Sequence, residues 1–410
     1  MHASGTRAFL YVQHLLGIGH LKRAVTLARA MVAAGLEVTL ASGGLPVREL
    51  TLEAQLRGVR FVQLPPASAA DLTFKTLVDD QGRQIDAEWK RMRGDALLAA
   101  WRAADPHVLV LELFPFGRRQ MRFELLPLLE AATGAARRPA PGAARRPAIA
   151  CSVRDVLGSQ KSPQRQEETL GLVERYFDRV LVHGDPGVIA FDRTFSGAGR
   201  IAARIEYTGY VVDAAQPVDG DAGKGEVIVS AGGGAVGAGL LEAAIRAKPL
   251  TALRGRNWRL LAGNNLPRKE FHELTSLASG EVGIELERSR ADFTTLLSNC
   301  ALSISQAGYN TLMETVRAGA RAVVVPFAGG HETEQTVRAR CFAERGLLEL
   351  VEESALAPET LAAAVDRAAR KPRPSPGAIN LDGAQRSAAS IARMAKGEAA
   401  TGKAARGKAP

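Results

Sequence analysis

Long apolar runs are missing from this 410-residue chain: none reaches the roughly 18 residues that a membrane-spanning helix needs. A strand-like stretch, Ala8 to Val12, comes almost at once with no leader pattern before it, so no secretory signal is expected. Cysteine is scarce. Cys151, Cys300 and Cys341 are odd in number and far apart, which argues against a disulfide framework or a zinc site and for a reducing compartment. Aromatics make up only 5% and do not cluster beside basic residues, so a face for nucleic acid is not expected.

The positive surplus, formally +10, is concentrated rather than spread. Arg137, Arg138, Arg145 and Arg146 sit in AARRPAPGAARRP, and Lys396, Lys403, Arg406 and Lys408 meet only Glu398 near the end. Neither piece has apolar periodicity to bury. A surface insertion at 134–147 and a disordered basic tail at 397–410 are therefore expected. Such a tail suits a weak peripheral contact with anionic lipid at the inner face of a membrane, the chain being otherwise cytoplasmic.

What the chain has in quantity is alternation. Short β-branched runs alternate with helix-spaced apolar repeats through two halves of similar size, which predicts an α/β protein with parallel sheets. Strands are expected at 8–12, 37–41, 59–64, 108–111, 149–153, 180–182 and 205–207. A stretch rich in Asp, Gly, Ala and Pro at 212–225 reads as a linker. Strands at 227–230, 259–262, 282–286, 302–304, 321–327 and 347–351 form the second half. The domains are set at 1–211 and 226–396.

The most informative stretch runs from Leu302 to Gln335. A strand ends in the turn Ser305-Gln306-Ala307-Gly308, and a helix follows with Asn310, Thr311 and Glu314. A second strand closes with Val325-Pro326-Phe327, and a polar loop containing Gly330, His331 and Glu332 opens another helix at Gln335. Both turns fall at carboxyl ends of strands, where open parallel sheets take ligands. Both open helices, whose free N–H groups suit an anion. Glu314 can accept two sugar hydroxyls, or simply pair with Arg317 on a solvated face. Gly232-Gly233-Gly234, before a third helix, would let a phosphate approach closely.

This stretch resembles the donor site of family 28 glycosyltransferases, among them the peptidoglycan enzyme that adds N-acetylglucosamine to a lipid carrier. The shared pattern is S-x-x-G, a helix bearing Glu, a strand ending in V-P-F, and a polar loop ending in Gln. The resemblance implies two doubly wound Rossmann-like domains facing across a cleft, the GT-B fold. It implies a donor site in which Gln306, Ala307, Gly308, Asn310 and Thr311 form the turn and helix start that hold the diphosphate. Glu314 would take the ribose, and Gly330, His331, Glu332 and Gln335 would lie near the donor sugar. Gly232, Gly233 and Gly234 would also approach the diphosphate. The family often closes the loop with two glutamines; here the pair is Glu334-Gln335.

The first turn carries a second motif, G-x-G-H-x-x-R, as Gly17, Gly19, His20 and Arg23. A dinucleotide fingerprint fails here. Lys22 stands where a third small residue is wanted, and the next strand ends Ala41-Ser42-Gly43-Gly44 without an acid. A neutral imidazole at a helix start can take a hydroxyl proton near pH 7. The motif is similar to the first loop of family 28 transferases. It is also similar to a nucleotide-sugar hydrolase of the pseudaminic acid pathway, whose histidine is implicated in activating water. Glu112, Arg154, Asp155, His183 and Asp185 each follow a strand and suggest the acceptor-side floor of a cleft, with His183 a second catalytic candidate beside His20. The expected function is transfer of a hexosyl group from a uridine-linked nucleoside diphosphate sugar to an acceptor the sequence does not name. The nucleotide sugar is a co-substrate, and neither cofactor nor metal is expected. Hydrolysis of that sugar nucleotide, or binding without turnover, stays open at this point.

Overall fold

Aliphatic and β-branched runs build two parallel sheets in the computed structural model, which describes residues 5–51, 56–71, 76–134, 146–158, 162–213, 220–232, 236–329, 333–375 and 377–398. Most of the insertion (135–145), the tail from 399, Gly233, Gly234, Gly330, His331 and Glu332 lie outside the described residues.

The first sheet contains β1 (Thr6–Val12), β2 (Leu36–Ser42), β3 (Val59–Gln63), β4 (Val108–Glu112), β5 (Ala148–Arg154), β6 (Arg179–His183) and β7 (Ile205–Tyr207). Their order is β3-β2-β1-β4-β5-β6-β7. Phe9 to Val12 and Val108 to Leu111 are wholly buried, as strands covered on both faces require. The second sheet contains β8 (Val227–Ser230), β9 (Trp258–Leu261), β10 (Ile284–Glu287), β11 (Leu302–Ser305), β12 (Ala322–Val324) and β13 (Glu349–Leu350), in the order β10-β9-β8-β11-β12-β13. Each sheet therefore reverses its winding between its first and fourth strands, at β1/β4 and at β8/β11. A crevice opens at such a point, outside the carboxyl ends of the strands.

Three helices set the site. α1 (Gly19–Ala33) follows β1, α2 (Tyr309–Arg317) follows β11, and α3 (Glu334–Glu344) follows the loop after β12. Tyr309, Leu312, Met313 and Val316 give α2 one apolar face. That face packs on Tyr210 and Phe342 in a cluster that also holds Val156, Val188 and Ile189 of the first domain. The two domains thus share apolar core, each such side chain contributing about 1.5–3 kcal/mol on burial. Gly319 ends the turn after α2 with φ 59°, a conformation glycine adopts without penalty.

The last helix, α4 (Gly383–Lys396), departs from expectation. The sequence assigns it to the second domain. In the structure its Ala388 and Ile391 join Leu21, Val25 and Ala28 of α1, so it covers the first sheet. The segment that the sequence places in the second domain, 226–396, thus ends in a helix packed on the first sheet. Among the described residues, no helix is long and apolar enough to cross a membrane.

Candidate active site

The register of the first sheet places Tyr11 opposite Leu111, so the loop after β1 runs beside Glu112 at the end of β4. That loop delivers His20 to the second position of α1. His20 Nδ1 lies 2.8 and 3.0 Å from the two oxygens of the Glu112 carboxylate. Arg23, one turn further along α1, also donates to Glu112. Nε2 of His20 makes no hydrogen bond among the described residues, and 15% of the side chain is exposed. Burial pushes this imidazole down to about 3; Glu112 opposes the shift, while Arg118 and Arg154 add to it. Burial alone would raise the Glu112 carboxyl, but the bonded imidazole and Arg23 outweigh it and hold the group well below the usual carboxylate range. The result is a neutral imidazole held through Nδ1–H by an ionised carboxylate, with Nε2 free to accept a proton.

The second domain meets this pair through ionic contacts. Arg154, at the end of β5, lies 2.6 Å from Glu334 at the start of α3. Arg338, one turn along α3, reaches Glu334 at 2.8 Å and Asp155 at 2.7 and 3.1 Å. Burial would raise the Glu334 carboxyl, but Arg154, Arg338 and His20 lower it overall. Tyr309 fixes the joint: Arg23 and Arg338 lie 5.5 and 5.1 Å from its ring, and its hydroxyl donates to the His183 carbonyl at 3.3 Å.

α2 starts at the same crevice. Gly308 caps it without a side-chain bond, so first-turn N–H groups stay available. Asn310 in that turn donates to the Gly19 carbonyl at 3.4 Å, which brings the two helix starts together. Glu314 is buried, and Lys22 of α1 lies 2.5 Å from its carboxylate. Arg317, the alternative partner offered by spacing, instead donates to the Leu381 carbonyl. Gln335 holds the base of its loop by accepting from the Phe327 N–H at 3.2 Å. Gln306 borders a cavity of about 600 Å³ along the second sheet, between Gly237, Leu240, Val325 and Phe327. Ala307 is buried in the shared core, whereas Gly17 is exposed at the mouth of the first loop. Among the described residues, no group of three or more His, Cys, Asp or Glu could hold a metal ion.

Three expected site residues are corrected. His183 is wholly buried, with Nε2 2.7 Å from Ser152 Oγ and Nδ1 3.0 Å from Thr208 Oγ1. Both ring nitrogens are used, so it cannot serve as a base. The glycine after it is there for packing: a Cβ on Gly184 would lie 2.6 Å from that of Asp155. Asp155 is buried with both oxygens on Arg338. Asp185 accepts from the Gly187 and Asn380 N–H groups and shapes a turn. Arg118 and Arg338 were not singled out in the sequence, and Lys22 stood out there only as a break in the dinucleotide fingerprint. The winding order, which sets β1 beside β4, is the signal that joins His20 to Glu112.

Residues 228–392 match the glycosyltransferase family 28 C-terminal domain. The chain is a glycosyltransferase related to family 28. Its fold follows solved GT-B glycosyltransferases over 94–96% of the chain. MurG of Acinetobacter baumannii is 17% identical over 94% of this chain and 99% of its own, with a TM-score of 0.57. The spinosyn rhamnosyltransferase SpnG, solved with thymidine diphosphate, is 17% identical over 96% of each chain, with a TM-score of 0.56. UGT2 of Phytolacca americana, solved with UDP-2-fluoro-glucose and pterostilbene, is 13% identical over 95% of this enzyme and 94% of its own chain, at a TM-score of 0.56. No curated protein sequence matches the enzyme.

Proposed function

We propose that the enzyme moves a hexosyl group from a nucleoside diphosphate sugar to an acceptor hydroxyl, with His20 as the base. The observation that carries this reading is the free Nε2 of an imidazole whose Nδ1 is held by Glu112. In the proposed step the acceptor hydroxyl gives its proton to Nε2 as its oxygen bonds the anomeric carbon. The bond from that carbon to the diphosphate oxygen breaks, and the diphosphate leaves with the electron pair. Ionised Glu112 stabilises the imidazolium so formed. A single displacement of this kind inverts the anomeric centre.

The charge of the leaving diphosphate is met by the open start of α2 and by Asn310, a role that otherwise falls to a cation, so no metal is required. Glu314 takes the ribose hydroxyls once Lys22 releases it. The relatives solved with UDP-2-fluoro-glucose and with thymidine diphosphate keep both bases in play; the resemblance of the donor motif favours uridine. Location at the inner face of a membrane rests on the basic tail alone.

The test is to incubate the enzyme with uridine and thymidine diphosphate hexoses, with chelator present, and follow nucleoside diphosphate release and the fate of the sugar. Acceptor-dependent release is expected. Free sugar formed at the same rate without any acceptor would make the enzyme a hydrolase, and binding without consumption would make it a sensor.

A further inference from the structure

The charged groups around the site pair off almost completely. Glu112 takes His20 and Arg23, Glu334 takes Arg154 and Arg338, and Asp155 takes Arg338. Arg118 is left over. Its Nε donates to the Gln13 carbonyl at 2.7 Å, and among the described residues its guanidinium makes no ion pair. The side chain is half-buried, and its charge bears on His20, Glu112 and Arg154. Burial lowers the guanidinium pKa, with Glu112 opposing and Arg154 adding to the shift, yet an arginine stays charged.

Its place in the fold is telling. Arg118 lies in the loop after β4, bonded to the loop after β1, so it spans the point where the first sheet reverses its winding. It holds φ 59°, a region uncommon for residues other than glycine, and such a conformation persists only where the surroundings impose it.

We propose that Arg118 anchors an anionic group, a phosphate or a carboxylate, carried by the acceptor close to the hydroxyl that His20 deprotonates. This rests on the reading of His20 as the base of a transferase. A neutral acceptor would cover this cation and leave it without a counter-charge, whereas a phosphate or carboxylate matches the guanidinium fork with two parallel hydrogen bonds. The donor diphosphate has its own electropositive seat at the start of α2, on the other domain. Arg118 belongs to the first domain, on the Glu112 side of His20.

Calorimetric titration tests this. Uridine diphosphate and thymidine diphosphate are titrated first. Glycerol 3-phosphate, lactate and glycerol are then titrated with the tighter nucleotide present at saturation. The wild type is expected to bind at least one of the two anions in the millimolar range and glycerol not measurably. Arg118→Gln should weaken anion binding by about tenfold or more, and Arg118→Lys should recover part of it. Nucleotide affinity should stay within about twofold, and the melting temperature of both variants should match the wild type. Preference between the two anions names the group as phosphate or carboxylate. Wild type that binds neither anion, or Arg118→Gln that binds them as wild type does, overturns the proposal. So does a loss of nucleotide affinity in Arg118→Gln, which would assign Arg118 to the donor. If wild type binds neither nucleotide, the donor reading fails separately, and the anion titrations without nucleotide still decide Arg118.

Discussion

His20 and His183 stand at the carboxyl edge of the same sheet, one at the start of α1 and the other at the end of β6. Burial pushes both imidazoles down to about 3, and both lie where the charges of Arg23 or Glu112 reach them. A shifted pKa therefore does not tell them apart. Their partners do. His20 gives one nitrogen to Glu112 and keeps the other, while His183 spends both on Ser152 and Thr208. The same contrast separates the carboxylates, because Glu112 backs an open imidazole and Asp155 is closed around Arg338. In the proposed reading, function lies in the valence left unused, and a buried polar group with every bond filled is part of the frame.

The sharpest way to break this contrast is to remove each ring in turn. His20→Ala should lower kcat by about 10²–10⁴-fold with donor binding and melting temperature near wild type. His183→Ala should do the reverse in kind, with a stability loss of about 2–4 kcal/mol from the cavity and the two orphaned hydroxyls. Steady-state kinetics and thermal melts on the pair decide it; wild-type turnover in His20→Ala would erase the distinction. Next in size, Asp155→Ala should destabilise by about 1–3 kcal/mol because it takes one of two bonded carboxylates from the buried Arg338, leaving Glu334, measurable by urea denaturation. A stable variant with impaired turnover would move Asp155 to the open group.

A smaller effect is expected at Glu314. Glu314→Ala should weaken uridine diphosphate binding by about tenfold, and Lys22→Met should leave it unchanged or strengthen it, because a competing ammonium has gone. Equal affinities in wild type and Glu314→Ala, read by titration, would confine that carboxylate to its ion pair. The mildest test is pH. Both imidazoles have depressed folded values, so their stabilising contribution is complete above the unfolded value of about 6.5 and declines as pH falls from there toward 3. His183→Gln should flatten that decline in melting temperature. Because His20 stays neutral, the acid limb of kcat should lie well below 6.5; a limb at about 6.5 would mean an imidazole in open water.

Much of the architecture was readable because strands buried on both faces leave continuous apolar runs, as in Ala8 to Val12 and Val108 to Leu111. The strands and helices from Leu302 to Arg317 were readable from one stretch, since they are adjacent in the chain. The pairing at His20 was not. His20 and Glu112 are 92 residues apart and meet only because β1 and β4 are neighbours. His183 carried the same local signs as His20, a strand end and a following glycine, and nothing local reveals that Ser152 and Thr208 close over it. Lys22 looked like a fault in a nucleotide fingerprint; its partner lies on the other domain.

The return of α4 to α1 bears on how the protein is made. The apolar face of the helix that carries His20 is covered by Ala388 and Ile391. On the ribosome, residues 5–211 emerge before the second sheet but remain one helix short until Gly383–Lys396 follows it. The first sheet is thus completed after the second has been made, and until then a nascent chain exposes a sticky stripe on α1. A fragment that stops before Gly383 would keep that stripe permanently, however sound its two sheets.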